Sequence, residues 1–137
     1  MDWIYNVPIK FMEYSLDEFK DRLNTFENAL LIASKRVIST YEIDTSNFDV
    51  IDESIANPDI HLLEEILGDL TRPDLIIAIG GGSSIDLAKA ISALYEYKDE
   101  DILNLIKNKT YLDNETPIPL IAVPTTAGTG SECTKWA

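Results

Sequence analysis

Three consecutive glycines, Gly80, Gly81 and Gly82, stand between an apolar run and the hydroxyl pair Ser83 and Ser84. Glycine has no Cβ, so such a turn bends sharply and brings backbone N–H groups close to a ligand. Asp86 follows Ser83 by three residues, the spacing of an N-cap serine and a capping-box carboxylate, which predicts a helix over 83–97. The first N–H groups of that helix and the positive end of its dipole suit an anion, above all a phosphate. The alternative is a tight strand-to-helix turn that needs glycine for geometry alone, since the spacing matches neither G-x-G-x-x-G nor the P-loop.

A second stretch points to the same chemistry. Thr125, Thr126, Ala127, Gly128, Thr129, Gly130 and Ser131 follow an apolar run at 120–123 that Pro124 closes. In an open α/β sheet ligands sit outside the carboxyl ends of strands, so two small, hydroxyl-rich loops at such ends can face one site.

The elements that must position these loops are legible as apolar patterns. Residues 75–79 are continuously apolar, as in a parallel strand covered by helices on both faces. Residues 29–33 (ALLIA) read as the first buried strand, with Ser34, Lys35 and Arg36 directly after it and a short helix or irregular crossover at 37–41. Residues 48–51 (FDVI) read as a second strand reaching Asp52 and Glu53. Before these, Ser15 and Glu18 form a capping pattern, and Leu16, Phe19, Leu23 and Phe26 extend a helical stripe to about residue 28. Residues 2–14, apolar around Pro8, suggest an edge strand or hairpin arm.

Asn57-Pro58 opens a further helix as cap and first-turn proline, with Ile60, Leu63, Ile66, Leu67 and Leu70 as its apolar face. The only histidine, His61, lies on the first turn of that helix and is read as a surface residue. Beyond the glycine turn, Ile85, Leu87, Ala88, Ile91, Leu94 and Tyr95 offer a broad face to the sheet. A short helix at 102–106 and a polar connection at 107–117 lead into the last strand.

Residues 80–90 (GGGSSIDLAKA) and 124–132 (PTTAGTGSE), with Asn57-Pro58 upstream, closely resemble the motifs of the iron-containing (group III) alcohol dehydrogenases, relatives of glycerol dehydrogenase and dehydroquinate synthase. The resemblance runs from about Val7 to the last residue. It implies an α/β fold, a Rossmann-like parallel sheet with flanking helices of the dehydroquinate synthase-like N-terminal type, truncated, with residues 1–137 as one NAD(P)-binding domain. It also implies that Gly81, Gly82 and Ser83 hold the cofactor pyrophosphate and that Asp86 lies near the nicotinamide end. Thr125, Thr126 and Thr129 would line the opposite wall, and Asn57 would contact the adenosine side. Lys89 is either a landmark of the family or a helix-surface lysine.

At the end of the first strand an acid selects NAD through the ribose 2′-hydroxyl, whereas a cation accepts the 2′-phosphate of NADP. The resemblance puts that discriminating acid at about Ser34. With Ser34 in its place and Lys35 and Arg36 following, the expectation leans toward NADP(H); a solvated basic pair is the other reading.

The resemblance further implies a catalytic iron or zinc acting as a Lewis acid on an alcohol or aldehyde oxygen, held by one Asp and three His in a later helical domain. One histidine in 137 residues cannot supply three imidazoles, so no metal ligand and no catalytic residue is expected in this chain. The expected protein is the cofactor-binding part of an NAD(P)-linked, iron-dependent alcohol dehydrogenase or aldehyde reductase, inactive as a fragment and derived from a shortened chain, a proteolytic remnant or an interrupted gene. A stand-alone dinucleotide-binding module without catalysis and a glycerol dehydrogenase-like member of the superfamily are the alternatives.

Composition bounds these readings. With 137 residues, 45% hydrophobic and 26% charged, the chain is one ordinary globular domain with a real core. Its net charge of −13 argues against nucleic acid and anionic membrane as partners. An anionic cofactor must then be held by local features, such as a helix N-terminus and the cations Lys35, Arg36 and Lys89. The lone Cys133 forms no internal disulfide, no apolar run approaches ~18 residues, and no signal-peptide layout is present, so a cytoplasmic location is expected. Apolar surface that a second domain would otherwise meet predicts self-association.

Overall fold

The computed structural model describes residues 14–52, 60–99, 101–108 and 116–125. The apolar runs become four strands: β1 (Ala29–Ile32), β2 (Phe48–Ile51), β3 (Leu75–Gly80) and β4 (Leu120–Pro124). They form one parallel sheet in the order β2-β1-β3-β4. Helices fill the crossovers, because parallel neighbours cannot be joined by a tight turn. Helix α1 (Leu16–Leu23) precedes β1, α2 (Lys35–Thr40) joins β1 to β2, and α3 (Ile60–Asp69) lies between β2 and β3. Helix α4 (Gly82–Leu94), a 3-10 turn at Tyr95–Tyr97 and α5 (Ile102–Asn108) lie between β3 and β4.

The continuous apolar character of β1 and β3 has its expected cause: side chains point alternately into two cores. Leu30, Ile32, Ile76 and Ala78 pack with Leu63 and Leu67 of α3, Ile85, Ala88, Ile91 and Leu94 of α4, and Ile102 of α5. Ala29, Leu31, Ala33, Ile77 and Ile79 pack on the other face with Leu23 of α1 and Ile43, flanked by Phe19, Phe26, Val37 and Ile38. The result is three layers. Truncating a core side chain such as the fully buried Leu67 to alanine costs about 2–5 kcal/mol.

The amino-terminal edge of the sheet is held by polar contacts. Asp74 donates its N–H to the carbonyl of Asn28 (2.9 Å), which adopts a left-handed φ of 49°. The Tyr95 hydroxyl donates to the carbonyl of Leu70 (3.1 Å) and accepts from Lys98 Nζ (3.1 Å). That hydrogen bond holds the Lys98 ammonium above the usual lysine range. Arg72 pairs with Glu96 at 2.8 Å.

Several sequence expectations need correction. The first helix ends at Leu23, not near residue 28: Asn24 is its C-cap, the Thr25 and Phe26 N–H groups turn back to the carbonyls of Arg22 and Leu23, and Phe26 packs against the second core. The helix after the glycines begins at Gly82, with Gly81 as N-cap and no side-chain cap. Ser83 is therefore the second helical residue, and Asp86 lies beyond the capping-box position. The last residues of that expected helix, 95–97, tighten into the 3-10 turn. The Ser15 cap is as expected, accepting from the Glu18 N–H at 3.2 Å, with its hydroxyl donating to Glu18 Oε1 at 3.1 Å. The expected arm at 2–14, apart from Tyr14, and the Asn57-Pro58 start of α3 lie outside the described residues.

Candidate functional site

The strand order creates a crevice. From β1 the chain steps outward to β2, then crosses back over β1 to β3 and continues to β4. The direction reverses between β1 and β3, and in open α/β sheets such a reversal leaves room for a ligand beyond the carboxyl ends of the two strands. Ile32 is level with Ala78, so Ser34 at the end of β1 stands level with Gly80 at the end of β3.

On the β3 side, Gly80 has a φ of 157°, outside the range that side chains readily adopt. Gly81 then turns the chain into α4, and the helix's first bond runs from the Ile85 N–H to the Gly81 carbonyl at 3.3 Å. Gly81 has no side chain with which to cap the first turn, and the positive end of a 13-residue helix faces the crevice. Ser83 is exposed there, and Asp86 is half-buried one turn further along α4.

On the β4 side, Gly80 is paired with Pro124, and the Thr125 N–H donates to the Gly80 carbonyl at 2.8 Å. The glycine turn and the start of the hydroxyl-rich loop are thus joined backbone to backbone, with Thr125 exposed beside them. Thr126 and Thr129, and likewise Asn57, lie outside the described residues.

On the β1 side, Ser34 caps α2: its Oγ accepts from the Val37 N–H at 3.1 Å. A hydroxyl that accepts one such bond still has its own proton to donate. Lys35 and Arg36 follow it, both exposed. Lys35 Nζ lies 3.9 Å from Asp52 Oδ2 at the end of β2, a pairing that the sequence did not signal. His61 is exposed on α3, as expected, and Lys89 is half-buried in α4.

The edge therefore brings Ser34, Gly80, Gly81, Gly82, Ser83 and Thr125 to one side of the sheet. Their donors fit a phosphodiester: uncapped helical N–H groups, exposed hydroxyls and nearby cations. Among the described residues no three His, Cys, Asp or Glu side chains gather as a metal site would require, so these residues do not fit a catalytic iron. No helix among them is long and apolar enough to cross a membrane.

A parallel sheet layered between helices, with a glycine turn at its carboxyl edge, defines an open three-layer α/β domain. The sequence profile of iron-containing alcohol dehydrogenase matches residues 7–137, and the chain belongs to that family. It is 32% identical to the mitochondrial hydroxyacid-oxoacid transhydrogenase of Caenorhabditis elegans, over 77% of this chain and 24% of that protein. It is also 32% identical to an alcohol dehydrogenase of Thermococcus barophilus, over 88% of this chain and 36% of that one. Among solved structures, sulfoacetaldehyde reductase from Bifidobacterium kashiwanohense in complex with NAD+ superposes with a TM-score of 0.61 at 27% identity, over 87% of this chain and 34% of that one. The iron-containing alcohol dehydrogenase of Thermotoga maritima gives a TM-score of 0.61 at 25% identity, over 86% and 35%. The chain thus spans about a quarter to a third of the length of these relatives.

Proposed function

We propose that the carboxyl edge binds a nicotinamide dinucleotide and that the chain is the cofactor-binding part of an NAD(P)-linked, iron-dependent alcohol dehydrogenase or aldehyde reductase acting on a small alcohol or aldehyde. The observation that carries this reading is the uncapped start of α4 at Gly81, at the strand-order reversal and bonded through Gly80 to Thr125. Gly81, Gly82 and Ser83 hold the pyrophosphate by backbone N–H groups and a hydroxyl. Ser34, Lys35 and Arg36 face the adenosine ribose, and with cations in place of an acid the preferred form is NADP(H). The family resemblance assigns Asp86 to the nicotinamide end, Thr125, Thr126 and Thr129 to the opposite wall, and Asn57 to the adenosine side. The bound dinucleotide supplies hydride chemistry, and the protein orients it.

In this reading residues 1–137 are one domain and bind cofactor without turning over an alcohol by themselves, having one histidine where the family resemblance calls for three. A relative's structure with NAD+ supports the cofactor class, and the setting is cytoplasmic.

Calorimetric titration of the 137-residue protein with NADP(H) and NAD(H), alongside Gly82→Val, tests the assignment. The expected result is saturable binding, tighter for NADP(H), that the valine variant weakens at least about tenfold, since a β-branched side chain keeps the phosphates off the backbone. Equal binding by a folded Gly82→Val variant places the ligand elsewhere and overturns the site.

A further inference from the structure

The neighbouring ends of β1 and β2 carry an ion pair between Lys35, which faces the proposed ribose site, and Asp52, which has no role in it. Ile32 is level with Ile51, and the Ala33 N–H donates to the Ile51 carbonyl at 3.2 Å. This register sets Asp52 beside Ala33, one residue before Ser34. The Lys35–Asp52 pair spans 3.9 Å, and the side chains differ sharply in freedom: Lys35 is 89% exposed and Asp52 only 30%. The carboxylate, on a short side chain at a strand end, is the fixed member. The ammonium, on a flexible four-carbon stem, is the one that moves.

We propose that Asp52 is a positioning residue that competes with the 2′-phosphate of a bound dinucleotide for the Lys35 ammonium, and so sets how strongly the site prefers NADP(H) over NAD(H). The inference rests on the reading that Ser34 and Lys35 face the adenosine ribose. A phosphomonoester carries about −1.5 to −2 charges at neutral pH, so it draws Lys35 toward itself and is repelled by Asp52. A ribose 2′-hydroxyl is uncharged and feels neither force strongly. The charge on Asp52 therefore enters the difference between the two cofactors and leaves the shared pyrophosphate contacts alone. A pair at this distance with an exposed lysine is weak and screened by salt, which lets Lys35 exchange one partner for the other.

The test is the ratio of NADPH to NADH dissociation constants, measured with both dinucleotides on the 137-residue protein and on variants shown by circular dichroism to be folded. Asp52→Asn is expected to shift the ratio toward NADPH about three- to tenfold at low salt, and less at high salt. Asp52→Glu, which restores the charge, is expected to return the ratio to that of the parent. In a Lys35→Gln background the effect of Asp52→Asn is expected to diminish to what direct repulsion of the phosphate by Asp52 leaves. An unchanged ratio in Asp52→Asn, with both cofactors still bound, overturns the inference and leaves the cofactor site standing. The same holds for a shift that persists undiminished in Lys35→Gln, because Asp52 then acts without the lysine. Should Asp52→Asn not fold, Asp52→Ser takes its place, with the same expected and overturning results. Binding of neither cofactor by the folded parent protein overturns the site reading and this inference together.

Discussion

The Ser34 oxygen accepts the Val37 N–H to start α2, and in the proposed site its proton is the donor to a ribose or phosphate oxygen. Substitutions can separate these purposes. Ser34→Ala is expected to cost about 0.5–2 kcal/mol of stability, the usual loss of an N-cap, and to weaken both cofactors. Ser34→Asp keeps the cap and adds an acceptor for the ribose 2′-hydroxyl, so thermal denaturation is expected near the parent's while calorimetry shows the preference moving from NADP(H) to NAD(H). An unchanged preference in a stable aspartate variant would count against Ser34 facing the ribose. The serine's place after an apolar run was legible in the sequence. Its neighbour's partner was not: Lys35 meets Asp52 only because β1 and β2 pair in one register, and parallel register is set by the crossover between strands, which no local pattern encodes.

Helix α4 shows where sequence reading succeeds and where local rules mislead. The apolar face of Ile85, Ala88, Ile91 and Leu94 was plain from spacing and is buried as expected. The start was misjudged because a serine followed by an acid looks like a cap, while the turn into the helix is made by glycine. A glycine start leaves the first turn open to a ligand, whereas a serine cap would have filled part of it. In the same way the stripe ending at Phe26 mimicked a longer α1, although Phe26 reaches the core from a turn. Farther along α4, the buried Ser92 donates its hydroxyl to the carbonyl of Ile118 at 2.6 Å, and the Ile118 N–H returns a bond to the Ser92 carbonyl at 3.3 Å. This pair fixes the approach to β4, and with it Thr125. Ser92→Ala leaves a buried carbonyl without that donor, and urea denaturation is expected to show a loss of about 1–3 kcal/mol.

At the scale of the molecule, the fold class was readable because four apolar runs separated by helical patterns allow few arrangements, whereas the order β2-β1-β3-β4 and the crevice it opens came only with the structure. Within the described residues the sheet has outer strands β2 and β4, and Val50 of β2 is 41% exposed. Such edges invite pairing with a second copy. We therefore expect sedimentation at tens of micromolar to detect a species heavier than the 15.3 kDa monomer; a monomer throughout would refute self-association. The same strand order also governs how the chain must be made. Strand β1 lies between β2 and β3, and Ala29 finds its partner Leu75 only after two helices and a strand have intervened. Long-range parallel pairing of this kind is slow. During synthesis on the ribosome, residues 29–32 therefore emerge well before the strand that completes their shelter. Until residues 75–80 have been translated, the apolar centre of the future sheet is a target for chaperones.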